Sequence, residues 1–254
     1  RGALQSGLVV EPVELKPQGT PDDTLEATRM MCKSGCDLLI TFGGDGTNRL
    51  VAMESGQVPL LPISAGTNNI FPLSCEGTRA GLVAGIFLKM LNSETDLPSV
   101  ISVNELIQQH KFLLAETDSW SETALIDLAI SRQASLGGRA IWDAEWLKAV
   151  FVTRCSPGAS GLCGIPGGVM DIPALAPHGA AAFLGNRFSV QAVLTPGRVQ
   201  SVGLEAVERM NLHQLHTMEV SEGTVLADGE RVRELHNEKV RITLHPEGPR
   251  VLDF

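Results

Sequence analysis

The stretch that decides the reading is "ITFGGDGTNRLVA", Ile40 to Ala52. A short apolar run ends, Gly43, Gly44, Asp45, Gly46 and Thr47 follow, and a helix-like segment begins. Glycines let backbone N–H groups approach an anion without Cβ interference, and a helix start adds its positive end. Phosphate suits such a loop. A carboxylate repels phosphate, so Asp45 needs a second purpose: holding Mg²⁺ against phosphates, or accepting a proton from an attacking hydroxyl. Asp-Gly also favours plain hairpin turns. Against that reading, the flanks look like strand then helix. A second polar glycine loop, "SAGTNN" (Ser64 to Asn69), also follows the next apolar run, "VPLLPI" (Val58 to Ile63). Adjacent parallel strands put both loops on one edge, where open α/β sheets bind ligands.

Working outward, "GLVVEPVEL" (Gly7 to Leu15) reads as extended. "TPDDTLEATRMMCKSG" then reads as a helix: Thr20 caps it, Pro21 suits its first position, Asp22 and Asp23 favour the positive dipole end, and Gly35 stops it. "DLLITF" (Asp37 to Phe42) is apolar on both faces, as expected of a central parallel strand. A helix from about Asn48 to Glu54 and a long helix between Thr78 and Leu91 complete βαβ order. Gly81 and Gly85 of the long helix suit close packing. After Ser99 the pattern changes to short strands: "SVISV", "KFLLAET", "TALIDLAIS", "AVFVTRC", "RFSVQAVL", "GTVLADGE" and "KVRITL". Their spacing suggests a β-sandwich or meander. "GGRAIWDAEWLK" interrupts them, with Trp142 and Trp146 expected to anchor the core. The expected division is an α/β domain over 1–105 and a β-rich domain over 106–254.

The chain has 254 residues, of which 43% are hydrophobic, enough for a substantial core. Its net charge of −9 argues against nucleic acid as a partner. The longest apolar stretch, "AGLVAGIFLKML", is about two-thirds of the roughly 18 residues a membrane span needs, so no membrane association is expected. Five cysteines are an odd number without a framework. They fit a reducing cytoplasm. Cys32 and Cys36, and likewise His213 and His216, have metal-compatible spacing, but nothing nearby completes either set. Asp228 in "LADGERV" reads as a hairpin turn.

"FGGDGTNR" resembles the Gly-Gly-Asp-Gly signature of NAD kinases, diacylglycerol-type lipid kinases and phosphofructokinases. With "GTPDDT" and "PLLPISAGTNNIFP", the chain is similar to the ATP-NAD kinase-like superfamily, and within it to the acetoin catabolism protein X group. The resemblance implies a Rossmann-like parallel-sheet domain followed by a β-sandwich-like, substrate-binding domain. It implies Asp45 as general base, activating a hydroxyl to attack the terminal phosphate of ATP. Gly43, Gly44, Gly46, Thr47 and Asn48 would hold nucleotide or phosphate, with Gly66, Thr67, Asn68 and Asn69 opposite. Mg²⁺ would accompany ATP, and related kinases self-associate.

In NAD kinases an Asn-acidic pair on a later strand holds the dinucleotide. Asp127 in "TALIDLAIS" matches the acidic member, while Ile126 stands where the asparagine is expected. An aliphatic side chain cannot replace an amide's donor and acceptor, so Ile126→Asn is expected to improve NAD binding. "SPGASGLCGIPGG" (Ser156 to Gly168) keeps a Ser-Pro start and glycines where NAD kinases carry a hydroxyl-rich run. It reads as a ligand-facing loop or as ordinary surface. The expected function is a small-molecule kinase acting on NAD or a related nucleotide-like acceptor. The alternatives are a lipid kinase, suggested by "PISAGTNN", and a non-catalytic nucleotide-binding protein associated with acetoin catabolism.

Overall fold

A computed structural model describes residues 9–66, 68–92, 102–133 and 143–252. Thr67, Trp142 and most of "SVISV" lie outside the described residues.

The first sheet has four strands: β1 (Leu39–Gly43), β2 (Leu60–Ser64), β3 (Ile107–Gln109) and β12 (Arg250–Leu252). Their order is β1-β2-β12-β3. β1 and β2 pair in parallel with Gly43 beside Ser64, so both glycine loops leave the same edge. Val9 to Leu15 joins no strand.

Helix α1 (Pro21–Lys33) starts as the sequence dictates. The Asp23 carboxylate reaches back to the N–H groups of Gln18, Gly19 and Thr20, and those bonds lower its pKa. Gly35 takes a left-handed conformation, at φ +80, and ends the segment. Helix α2 (Asp45–Ser55) begins one residue after the turn at Gly44. Helix α3 (Gly77–Leu91) is capped by the Glu76 carboxylate, which accepts from Thr78 and Arg79 N–H.

Three sequence expectations need correction. β1 is not buried on both faces: Ile40 and Phe42 are 46% and 68% exposed, because α3 covers Leu61, Ile63 and Leu252 and stops short of β1. Gly81 and Gly85 make no close contact, since α3 packs through Ala80, Ala84 and Phe87. Trp146 is 42% exposed and anchors no core. Cys32 and Cys36 fill space against Leu39, Val51 and Leu60, and all five cysteines are free.

The second sheet has eight strands: β4 (Phe112–Glu116), β5 (Ser121–Ala124), β6 (Asp127–Ser131), β7 (Leu147–Val152), β8 (His178–Thr195), β9 (Arg198–Asn211), β10 (His216–Ala227) and β11 (Glu230–His245). The order is β5-β4-β11-β10-β6-β7-β8-β9, and every pairing is antiparallel. Along β7, Val150 and Val152 enter one apolar cluster, while Ala149 and Phe151 enter another. Such alternation buries both faces of the central strands, the arrangement a sandwich-like domain requires. The expected division at residue 105 is crossed by the sheets themselves: β3 and β12 both join the first one. Parallel α/β order in the first half and antiparallel strands in the second are the two-domain architecture anticipated.

Among the described residues, no helix is long and apolar enough to cross a membrane.

Candidate active site

The two glycine loops meet at one carboxylate. Asp45 is the first residue of α2, and its Oδ1 accepts N–H from Ile70 at 3.1 Å and Phe71 at 2.8 Å. Oδ2 accepts only from Ile70, at 3.1 Å, which leaves it acceptor capacity. The loops touch elsewhere too. Ala65 N–H donates to the Gly43 carbonyl, while within the second loop Asn69 Nδ2 donates to Ser64 Oγ. A Cβ on Gly44 would sit 2.8 Å from Asn69 Oδ1, so glycine is what lets the loops close.

Beside this junction lies a cavity of about 290 Å³. Gly44, Asp45, Gly46, Thr47, Asn68, Asn69 and Asp127 all line it, and so does the Ser160–Leu162 stretch of the "SPGASGLCGIPGG" loop. Gly43 and Gly66 lie behind the wall, shaping the loops. Asn48 also sits off the wall. It is fully buried, accepting from Thr41 Oγ1 at 2.5 Å and donating to the Gly44 carbonyl at 2.8 Å. Its role is to lock the first loop. Ile126 does not line the cavity either; it is fully buried in the core.

The wall carries residues that sequence reading assigned elsewhere. Asp228 and Gly229 form the expected two-residue hairpin turn between β10 and β11, with φ of +50 and +76. The Asp228 carboxylate then accepts the N–H groups of Leu125, Ile126 and Asp127, fixing the start of β6. Glu230 follows, bound by Arg49 Nη2 at 2.8 Å, and a Cβ on Gly46 would collide with it. Arg49 Nε also lies 3.9 Å from Asp228 Oδ2. Asp-Gly signalled the turn. Nothing local signalled that it would face a loop some 180 residues earlier.

Electrostatics in the cavity follow from burial. Asp45, Asp127, Asp228 and Glu230 face it, and no lysine or arginine is among the described lining residues. Burial raises the Asp45 pKa, while the Phe71 and Ile70 N–H groups and Arg154 oppose that rise. Asp127 is pushed well above the ordinary carboxylate range by burial, then by Asp228 and Asp45. Its Oδ1 is buried with no partner. Burial lifts Asp228 to about 7. A raised pKa makes a carboxylate a stronger base, which suits proton abstraction. Among the described residues, no three His, Cys, Asp or Glu side chains cluster to hold a metal unaided.

Comparison with known proteins divides the chain as the cavity does. Residues 4–75, which carry both glycine loops, match the family model of the ATP-NAD kinase N-terminal domain. Residues 111–247, which carry Asp127, Ser160, Asp228 and Glu230, match that of the acetoin catabolism protein X C-terminal domain. Acetoin catabolism protein X of Cupriavidus necator is 30% identical over 261 aligned residues, covering all of this chain and 71% of that protein. An uncharacterized protein of Archaeoglobus fulgidus is 36% identical over 69 residues, 27% of this chain and 23% of its own length. The chain therefore belongs to the acetoin catabolism protein X family, with an N-terminal domain of the ATP-NAD kinase type.

Proposed function

We propose that this protein transfers a phosphoryl group from ATP to a hydroxyl of a small, nucleotide-like acceptor, NAD or a relative of it. The observation that carries the reading is the convergence of both glycine loops on Asp45 at the edge of the cavity. The N–H groups of Asp45, Gly46 and Thr47 begin α2 ahead of its first intrahelical bond, from Asn48 to Gly44, so they are free to meet phosphate oxygens. Asp45 Oδ2 keeps room for the acceptor's hydroxyl proton. A positioned base of this kind contributes roughly 10²- to 10⁴-fold.

A wall with four acidic side chains, of which Glu230 is paired by Arg49, and no lining cation disfavours a polyphosphate on its own. Mg²⁺ bound with one or two carboxylates plus substrate phosphates needs no protein cage, and it would neutralise charge on the phosphates. The unpartnered Oδ1 of Asp127 is the oxygen that fits it. The cavity is at the small end of the roughly 300–1,000 Å³ of ligand pockets. It suits the reacting ends of two substrates rather than a whole dinucleotide.

One observation favours a second reading, a non-catalytic nucleotide-binding role connected with acetoin catabolism. Asp45 already clamps two backbone N–H groups, which is sufficient reason for a carboxylate there. ADP-release assays with ATP, Mg²⁺ and NAD, NADH or simpler ribosides separate the two. Phosphotransfer requires acceptor-dependent ADP release that falls by about 10²-fold or more in Asp45→Asn. ATP binding without any release would favour the second reading.

A further inference from the structure

A second cavity, of about 220 Å³, adjoins the first across Ile70 and is lined by Arg154, Ser156, Ala159 and Asp171 among others. Arg154 follows β7, and its guanidinium lies 5.7 Å over the Phe71 ring. Its Nη2 is 2.8 Å from His110 Nδ1. Arginine only donates, so His110 Nδ1 accepts and the imidazole proton sits on Nε2. Burial, with Arg154 and Lys111 nearby, holds His110 neutral with a pKa of about 3. Arg154 Nε is buried without a partner.

No carboxylate among the described residues pairs with this guanidinium at contact distance, although Asp45 and Asp228 act on it from further away and Asp171 shares the cavity wall. Among the described residues, no carboxylate forms an ion pair with Arg154 or with the neighbouring Lys111. Lys111 Nζ instead donates to the carbonyls of Ala176 and His178, both at 2.6 Å. Asp45 acts on Arg154 only from beyond ion-pair range. The adjacent thiols stay protonated: burial raises Cys155 to about 11 and pushes Cys163 well above the ordinary thiol range. Buried cations are ordinarily paired, because leaving one unpaired costs several kcal/mol, on the order of the desolvation penalty per ion.

We propose that the Arg154 cavity is a subsite for one small oxyanion, a carboxylate or phosphate group, bound by the guanidinium. A planar guanidinium matches such groups through two parallel N–H donors. Ser156 on the wall offers a hydroxyl, and Ile70 separates the subsite from the first cavity.

The test is thermal melting of the full chain, titrated separately with inorganic phosphate and with acetate, ionic strength being held constant with chloride. Wild type should show a saturable rise in melting temperature with at least one, and the tighter anion identifies the group. Arg154→Met should weaken that response at least tenfold, yet melt no lower than wild type without anion. Arg154→Lys keeps the charge without the fork and should bind several-fold more weakly, which carries the test should methionine prevent folding. The melts are run without ATP, Mg²⁺ or acceptor, so failure of phosphotransfer cannot mimic failure here. No saturable response in wild type, or an equal one in Arg154→Met, overturns the subsite.

Discussion

Asp45 has two oxygens and three N–H contacts, so it is both a structural clamp and a candidate base. Neutralising it by Asp45→Asn turns one acceptor into a donor facing Ile70 N–H, which loosens the second loop as well as removing the base. Ile126 illustrates the opposite case. The family pattern suggested that an asparagine there would meet the ligand, but the side chain is fully buried among apolar neighbours. Ile126→Asn should therefore destabilise the protein by about 3 kcal/mol, through lost burial and an unsatisfied amide. Urea unfolding checks this; unchanged stability with tighter NAD binding would contradict it. Spacing made Asp45, Gly44 and Asn69 legible. The loop carrying Ser160 was legible only as one of two readings, and Asp228 and Glu230 were not, because their meeting with α2 depends on chain crossings invisible in local sequence.

The loops close through glycine, and the two central glycines differ in what they face. A methyl on Gly44 meets Asn69, whose Nδ2 is committed to Ser64. A methyl on Gly46 meets the half-exposed end of Glu230, which has solvent to swing into at the cost of its Arg49 pair. Gly44→Ala should therefore weaken nucleotide binding tenfold or more, and Gly46→Ala only a few-fold, by calorimetry with Mg²⁺-ATP. Equal losses would show that loop closure is not set at Gly44. Helices α1 to α3 and strands β1 and β2 were readable because caps, periodicity and glycine loops agree there. The second half was harder. β9, "RVQSVGLEAVERMN", buries few of its residues, so it carries little alternation. β3 is three residues of weak signal. β12 inserts between β2 and β3, parallel to one and antiparallel to the other, which no local pattern announces.

At the scale of the whole molecule, that returning strand ties the two halves together. Val251 and Leu252 are buried, and β12 lies between β2 and β3. Ending the chain after Pro249 should cost about 4 kcal/mol from lost apolar burial alone; an unchanged unfolding midpoint would contradict this. Buried titrating groups also make stability depend on pH with a definite sign. The Asp228 carboxyl, raised from 3.8 to about 7, contributes stability that is complete below pH 3.8 and lost as pH rises through 7. His110, lowered from 6.5 to about 3, contributes stability complete above pH 6.5 and lost as pH falls towards 3. The two oppose each other in wild type. Asp228→Asn removes only the first, so its stability gap from wild type should narrow between pH 4 and pH 7. A gap that stays constant or widens in calorimetry would contradict the assignment.

The most direct test of phosphotransfer at the Asp45 junction is ³¹P NMR of the protein with Mg²⁺-ATP and a nucleotide-like acceptor. We expect a new phosphomonoester signal to grow as ATP becomes ADP, and to be missing with Asp45→Asn. ATP that binds yet yields no phosphomonoester with any acceptor of this class, or equal signal from the variant, would contradict the account.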